Sequence, residues 1–351
     1  MPANTYPTRQ LGANGPKVSA LGFGAMSFGT WYGKADEEEA SRTLTYAADR
    51  GITFWDTSDA YEASEATIGK WFAKTGRRKE IFLATKVGAC DLRPEAPSPW
   101  APNSKPSYVR QQIENSFKAL QTDYIDLYYQ HRVDPEVPIE VVLETFRPYV
   151  ESGKIKWLGL SECSVNVLKR AKAVPGVGEK VIVCQMEYSP FTLDLETNGF
   201  AKAAHELGVG IVAYSPLGRG IMTGQIKSPK DLDKNDLRLQ MPRFQEANFA
   251  KNLALVDAFR TVADKYGATP GQIALAWILA VHPDFVPIPG TKSVKRLEEN
   301  AKAAEIVPKE EDVKALREAV DGADVKGERY PAEYQALMQD ECIELSEWNG
   351  E

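Results

Sequence analysis

Side chains that can exchange protons follow several apolar runs of this 351-residue sequence. The run at 52–55 leads directly into Asp56, and Tyr61 follows five residues later. Two further apolar runs lead into Lys86 and His131. A carboxylate, a phenol, an amine and an imidazole are the groups that enzymes use for general acid–base chemistry. The four can act together only if the fold brings the ends of their apolar runs to one place.

A repeated alternation of short apolar runs and amphipathic segments provides such a fold. In the segment before the fourth run, Val109, Ile113, Phe117 and Leu120 recur at helical spacing and share one face. Eight strand–helix units predict a single α/β domain over residues 1–351, a (β/α)8 TIM barrel, since the length fits about 250 residues plus insertions. A doubly wound sheet is the alternative. The runs lie at 21–24, 52–55, 81–84, 125–129, 155–160, 181–184, 210–213 and 285–288.

The barrel prediction places the polar residues on one rim. The carboxyl ends of barrel strands share one face of the molecule, and barrel enzymes place their chemistry there. Three more runs end close to Ser161, Gln185 and Tyr214. Six consecutive predicted strands therefore end close to a polar residue at the same mouth of the barrel.

Four segments lie outside the repeated pattern. Residues 1–21 contain a glycine-rich turn and are predicted to form an N-terminal β-hairpin that plugs the barrel bottom. Two loops, 89–106 and 218–249, are long enough to act as lids or binding loops at the active site. The C-terminal tail, 322–351, has no strand pattern and is expected to lie over the mouth.

Composition excludes several classes of partner. The formal net charge is −7 and the sequence isoelectric point is about 5.3, so no basic excess is available to bind nucleic acid or an anionic membrane. No apolar signal or membrane-spanning segment is present in the sequence, which favours a cytoplasmic location. The four cysteines form no CxxC pair and the three histidines no HExxH motif, so we expect free thiols and no metal.

A series of motifs along nearly the whole chain resembles the aldo-keto reductase superfamily. The resemblance is closest to the branch that contains voltage-gated potassium-channel β subunits together with microbial and plant aldo-keto reductases. The motifs are DTSDAY at 56–61, TKVG at 85–88, YYQHRVD at 128–134, GLSECS at 159–164, QMEYSP at 185–190, AYSPLGRG at 213–220 and PIPGTKSVKRLEEN at 287–300.

The resemblance implies an oxidoreductase that uses NADPH to reduce an aldehyde or ketone to an alcohol. The catalytic residues would be Asp56, Tyr61, Lys86 and His131. Hydride transfer to a carbonyl carbon leaves an alkoxide, which the Tyr61 phenol would protonate. A cationic Lys86 would favour the phenolate, Asp56 would hold the lysine charged, and His131 would orient the substrate oxygen.

The same resemblance assigns the cofactor-binding residues. Ser161, Glu162 and Gln185 would surround the nicotinamide carboxamide, and Tyr214 would stack on the ring. The pyrophosphate would follow Ser215, Leu217 and Gly218. The adenosine phosphate and adenine would meet residues that begin the last predicted helix: Pro289, Gly290, Thr291, Lys292, Arg296, Glu299 and Asn300. Because Lys292 and Arg296 are four residues apart and share a helix face, they favour the 2′-phosphate of NADPH.

The chain departs from the family pattern at two places. Many members have Asn at the position of Glu162 and Gly at the position of Glu62, directly after the tyrosine. The fragment Gly22-Phe23-Gly24 has Ser27 where a dinucleotide-binding GxGxxG motif would have its third glycine, so it carries little weight.

Two other functions remain open from the sequence. The chain could be an NADPH-binding regulatory subunit, as the channel β subunits are, or Lys86 could form a Schiff base in a barrel aldolase. For a reductase, aromatic residues in loops near the mouth, Phe28, Trp31, Tyr32 and Trp100, favour an aromatic or otherwise apolar carbonyl substrate.

Overall fold

The computed structural model describes residues 6–29, 36–94, 96, 98 and 100–351. An antiparallel hairpin comes first, formed by β1 (Thr8–Gln10) and β2 (Lys17–Ser19). Gly12 in its turn has a φ of 63°, and a side chain there would approach the Ile182 and Gly208 carbonyl oxygens within 2.4 and 2.7 Å. Leu11 packs against residues of the barrel interior. The predicted hairpin at the barrel bottom is confirmed.

A single sheet of eight parallel strands follows, in the order of the chain. The sheet closes through its first and last strands, because Gly22 N donates to Pro287 O at 2.9 Å and Gly24 N to Pro289 O at 3.2 Å. Sequential parallel order with closure is the arrangement of a (β/α)8 barrel and excludes a doubly wound sheet. The strands are β3 (Phe23–Gly24), β4 (Phe54–Asp56), β5 (Phe82–Val87), β6 (Ile125–Gln130), β7 (Ile155–Ser161), β8 (Val181–Glu187), β9 (Gly210–Tyr214) and β10 (Phe285–Pro287).

Helices cover the outside of the barrel. In the helix at 106–120, Val109, Ile113 and Leu120 are buried, as the helical spacing predicts, and Phe117 is half-buried. The α-helices of the described residues are α1 (Glu37–Arg50), α2 (Ser64–Thr75), α3 (Pro106–Leu120), α4 (Ile139–Glu151), α5 (Val165–Ala173), α6 (Asp194–Thr197), α7 (Phe200–Glu206), α8 (Glu246–Tyr266), α9 (Pro270–Val281), α10 (Val294–Lys302), α11 (Glu310–Asp321) and α12 (Ala332–Leu337).

Several strands continue past the end that the apolar runs predict. Asp56, Lys86, Ser161, Gln185 and Tyr214 are strand residues, whereas His131 directly follows β6. Their polar side chains are compatible with strand structure because the barrel mouth supplies them with hydrogen-bonding partners.

The long segment 218–249 is not structureless. It contains the 3-10 helices Gly218–Thr223, Pro229–Asp231, Leu237–Gln240 and Pro242–Phe244, and α8 begins at Glu246, before the loop was predicted to end. The tail contains α12 and reaches back to the barrel rim. Among the described residues, no helix is both long and apolar enough to cross a membrane.

Candidate functional site

The four candidate catalytic side chains meet at the carboxyl ends of β4, β5 and β6. Tyr61 Oη lies 3.5 Å from His131 Nε2, and the Lys86 ammonium lies 5.0 Å from the centre of the Tyr61 ring. Asp56 and Lys86 form an ion pair. The four residues therefore occupy one contiguous site, although 75 residues separate Asp56 from His131 along the chain.

Lys86 is completely buried, and protein oxygens accept two of its three ammonium hydrogens. Its ammonium donates to an Asp56 carboxylate oxygen and, at 2.8 Å, to Thr57 O. Gln185 Nε2 donates to the other Asp56 oxygen at 2.8 Å. Burial lowers the pKa of Lys86, and the charge of Asp56 opposes that change. Asp56 and Gln185 thus fix the position of the ammonium beside Tyr61.

His131 is held in its neutral form. Burial, with the charges of Lys86 and Arg132, lowers the pKa of His131 well below its ordinary value. Its Nδ1 atom lies 2.9 Å from Ser58 Oγ, so Ser58 fixes the ring orientation from the side opposite Tyr61. A neutral imidazole offers one donor and one acceptor, and its two neighbours determine which nitrogen carries the hydrogen.

Non-glycine residues with left-handed backbone angles are concentrated around the barrel mouth. Of the five non-glycine residues with positive φ among the residues described, Glu62, Glu162, Ser215 and Arg219 belong to loops of this rim. Residues with such backbone angles cluster at functional sites. The finding accounts for the Gly and Asn of the family pattern, because these residues tolerate this conformation best; Glu62 and Glu162, with φ of 51° and 49°, adopt it here at a cost in backbone strain.

The C-terminal segment contacts the expected nicotinamide-binding residues. Arg329 Nη2 donates to Glu162 Oε2 at 2.6 Å and lies 3.5 Å from Tyr214 Oη. The hydroxyl groups of Tyr214 and Tyr330 are 3.2 Å apart. Burial raises the pKa of Glu162, but the charges of Arg329 and Arg132 outweigh it and leave that pKa below its ordinary value. Glu162 is therefore an ionised carboxylate paired with the tail.

The other residues expected near the nicotinamide and pyrophosphate lie on the same rim. Ser161 and Gln185 are buried neighbours in β7 and β8. Ser215 O accepts from Gly218 N at 2.9 Å, which forms a tight turn after β9. Leu217 is half-buried and packs against the apolar cluster that contains Leu21 and Leu275. This loop presents backbone groups and Arg219 to the site.

The segment after β10 has the donors that a phosphate needs. Ser293 precedes α10 without a side-chain cap, and the first turn of α10 carries Lys295 and Arg296 and no acidic residue. Ser293 N donates to Thr291 Oγ1 at 3.1 Å. Uncapped N–H groups and basic side chains at a helix N-terminus suit an anion.

Four more residues of this segment are placed by their contacts. Pro289 and Gly290 run alongside β3, where Gly290 pairs with Gly24. Glu299 Oε1 accepts from Thr269 Oγ1 at 2.8 Å, so its carboxylate contacts the N-cap residue of α9. Asn300 is half-buried in α10. Arg296 Nη2 lies 3.5 Å from Gln225 Oε1, which brings the 218–249 segment against the phosphate-type turn.

Sequence reasoning missed three polar residues of the mouth. Arg132 is buried and its Nη1 atom has no hydrogen-bonding partner among the described residues. Its position two residues after the end of a barrel strand, next to His131, is the sequence feature that indicates it. Ser58 and Asp59 stand inside the DTSDAY motif but were not distinguished from its turn residues. Of the aromatic residues expected at the mouth, Phe28 packs on Phe23 and Trp100 is about half exposed, while Trp31 and Tyr32 lie outside the described residues.

Comparison with known proteins identifies one family. A model of the aldo/keto reductase family matches residues 20–321. "Aldo-keto reductase yakc [NADP(+)]" of Schizosaccharomyces pombe is 48% identical over 331 residues, covering 93% of this chain and 95% of the relative. "Aldo-keto reductase str7" of Strobilurus tenacellus is 45% identical, with 92% and 94% covered. "Probable aldo-keto reductase 1" of Glycine max is 40% identical, with 92% and 91% covered.

Proposed function

Because the chain belongs to the aldo/keto reductase family, we propose that it is an NADPH-dependent oxidoreductase. Its reaction would be the reduction of an aldehyde or ketone, with an aromatic or otherwise apolar substituent, to the alcohol. The single observation that carries the proposal is the contact of Tyr61 Oη with His131 Nε2, beside the buried Lys86–Asp56 pair.

This arrangement supports Tyr61 as the general acid. The phenol must give its proton to the substrate oxygen and leave a phenolate, which a neighbouring positive charge stabilises. Lys86 supplies that charge 5.0 Å from the ring centre, and Asp56 with Thr57 O holds the ammonium in place. His131, which is neutral, can hydrogen-bond the substrate oxygen and set its angle. Each of the four residues has a separate task.

The residues present also fit the cofactor. NADPH, when bound, supplies the hydride. The uncapped start of α10 with Lys292 and Arg296 would hold the 2′-phosphate, and the turn at Ser215 to Gly218 would hold the pyrophosphate. Glu162 and Gln185 would bind the carboxamide from the mouth. The name of the Schizosaccharomyces pombe relative, which specifies NADP(+), supports this choice of cofactor.

The geometry argues against a Schiff-base mechanism. A Schiff-base lysine needs an uncharged amine that can reach the substrate carbonyl. Lys86 Nζ instead donates to Asp56 and to Thr57 O from a fully buried position. The pair suits an ammonium that is held beside Tyr61 and acts on it.

The experiment is to follow NADPH oxidation at 340 nm with wild type and Tyr61→Phe, using aromatic aldehydes, aliphatic aldehydes and a quinone. We expect turnover in the wild type and a loss of about 100-fold or more in Tyr61→Phe, with NADPH affinity kept, because the lost group is the proton donor. Unchanged turnover in Tyr61→Phe would overturn the general-acid role. Cofactor binding without turnover on any carbonyl would favour the regulatory-subunit function.

A further inference from the structure

A line of hydrogen-bonding groups leads away from Tyr61 into the barrel wall. Tyr61 Oη is 3.5 Å from His131 Nε2, His131 Nδ1 is 2.9 Å from Ser58 Oγ, and Ser58 Oγ is 3.0 Å from Asp59 Oδ1. Lys86 and Asp56 reach Tyr61 from elsewhere and are not part of this line. The side chains of Ser58 and Asp59 therefore hydrogen-bond to the catalytic side chains only through His131 among the described contacts, while their backbone lies beside the site: Tyr61 N donates to Ser58 O at 3.1 Å and Asp59 N to Lys86 O at 3.2 Å.

Ser58 can satisfy all of its neighbours in only two ways. A hydroxyl group donates one hydrogen and accepts two hydrogen bonds. The Ser58 oxygen already accepts from Ala60 N at 3.1 Å, so one acceptor position and the single hydrogen remain for His131 and Asp59. If Ser58 donates to Asp59, it must accept from His131 Nδ1–H. If Ser58 donates to His131 Nδ1, it must accept from a protonated Asp59.

These two arrangements differ by one proton. With Asp59 protonated, Ser58 donates to Nδ1, and the imidazole carries its hydrogen on Nε2, where it can donate to a substrate oxygen. With Asp59 ionised, Nδ1 carries the hydrogen and Nε2 is an acceptor for Tyr61 O–H. Passing from the first to the second, Asp59 gives its proton to Ser58, Ser58 gives its own to Nδ1, and the Nε2 proton leaves. One proton is released and no other group is consumed.

The surroundings of the Asp59 carboxyl favour a change of its protonation near neutral pH. Its Oδ2 atom is buried and has no hydrogen-bonding partner among the residues described, although the residue as a whole is half-buried. An ionised oxygen without a donor is costly to bury. Burial and the nearby carboxyl of Glu65 raise the pKa of Asp59 to about 8, although hydrogen bonds from Ser58 and from the backbone of Ala60 and the charge of Lys86 oppose the rise. The other titratable groups coupled to Asp59 are Cys90, Tyr108 and Tyr128, whose pKa values its charge helps to raise.

We propose that Asp59, acting through Ser58, sets the tautomer of His131 and thereby determines whether Nε2 donates or accepts a hydrogen bond in the active site. Ser58 and Asp59 are positioning residues in this scheme, since neither touches the substrate. Because burial keeps the imidazole neutral, the event at His131 is a change of tautomer and not a gain of charge.

The consequence for the reaction rests on the proposed reductase function. A carbonyl oxygen needs a donor, so Nε2–H favours reduction below the pH at which Asp59 ionises. An alcohol hydroxyl needs an acceptor, so a bare Nε2 favours oxidation above that pH. The tautomer thus connects pH to the direction of catalysis.

The primary test reads the tautomer and not the activity. Imidazole 15N chemical shifts distinguish Nδ1–H from Nε2–H, and the chain has only three histidines, so His131→Asn assigns the signal. In the unliganded wild-type protein, we expect the His131 shifts to exchange their Nδ1 and Nε2 values between pH 6 and pH 10. Unchanged His131 shifts across that range would overturn the proposal.

Variants of Ser58 and Asp59 test whether these two residues control the tautomer of His131. Ser58→Ala and Asp59→Asn should each abolish the pH-dependent exchange, whereas Ser58→Thr, which keeps the hydroxyl, should restore it. Glu65→Gln is the matched control: Glu65 is a buried carboxyl near Asp59 whose Oε1 accepts from Thr85 Oγ1, away from His131. It should lower the midpoint of the exchange and leave the exchange itself intact. Persistence of the exchange in Asp59→Asn would show that another group controls the tautomer.

Kinetic profiles keep this proposal separate from the reductase function. We expect kcat for reduction to fall at least about fivefold above pH 8 in the wild type and to become flat in Asp59→Asn. If no carbonyl is reduced but the NMR exchange appears, the tautomer switch stands and the reductase proposal fails. If Tyr61-dependent turnover occurs without the exchange, the switch fails and the reductase proposal stands.

Discussion

Arg329, from the segment after α11, donates a 2.6 Å hydrogen bond to Glu162 at the end of β7. The same guanidinium approaches Glu187 Oε2 at 3.4 Å, so one tail residue neutralises carboxylates that follow or end two neighbouring strands. The contact joins residues that are 167 positions apart and attaches the tail to the barrel mouth.

Arg329→Ala should therefore release the tail. A charge-assisted hydrogen bond contributes about 1.5–3 kcal/mol, so its loss raises the population of an open tail by about tenfold or more. Chymotrypsin cleavage after Tyr330 and Tyr334 measures that population. Lys326→Ala is the control, because Lys326 Nζ pairs only with nearby Asp324 among the described ion pairs. Equal cleavage rates for the two variants would argue that other contacts hold the tail.

The ionisation of Glu162 should appear in the pH dependence of stability. Its folded-state pKa is lowered, so its contribution is fully present above the unfolded value of about 4.3 and is lost as the pH falls through the folded value. We expect the free energy of unfolding to decrease less steeply in acid for Glu162→Gln than for wild type. Urea unfolding at several pH values between 3 and 6 measures the slopes; parallel slopes would contradict the assignment.

Lys292→Ala combined with Arg296→Ala should weaken NADPH binding by about 10-fold or more, with little change for NADH, because only NADPH carries the 2′-phosphate. Fluorescence titration with both cofactors measures the two affinities. Lys302→Ala, at the opposite end of α10, is the control for a general change of charge. Equal losses of affinity for NADPH and NADH would show that the two residues do not bind the 2′-phosphate.

Gly24→Ala should destabilise the barrel. A side chain there would lie 2.8 Å from Ile288 O and 3.4 Å from Gly290 Cα, and backbone cannot move aside cheaply. We expect a loss of about 1–3 kcal/mol in urea unfolding, as for other overpacked sites. Gly271→Ala is the matched control, since its nearest neighbours would lie 3.6 Å away. A small effect in Gly24→Ala would mean that the closure between β3 and β10 is loose.

The barrel could be predicted from the sequence because each strand appears as a local apolar run. Apolar runs such as 125–129 must be buried on both faces, and their number and order leave few topologies. Asp56, Lys86 and His131 could be placed on one rim by the same reasoning. The Arg329–Glu162 pair could not, because the tail has no periodic pattern and its path depends on side-chain contacts far away in sequence. The role of Ser58 also depends on distances that sequence spacing does not give.

The paired glycines that close the sheet have a consequence for folding. Gly24 and Gly290 are 266 residues apart, so their pairing requires closure of nearly the whole chain and is expected late in folding. Thr291 and the start of α10 follow directly, and they have their final geometry only once the ring is shut. An anion that binds there would bind the closed barrel and not the open one. It would therefore stabilise the closed barrel against opening, by a free energy that rises with the anion concentration.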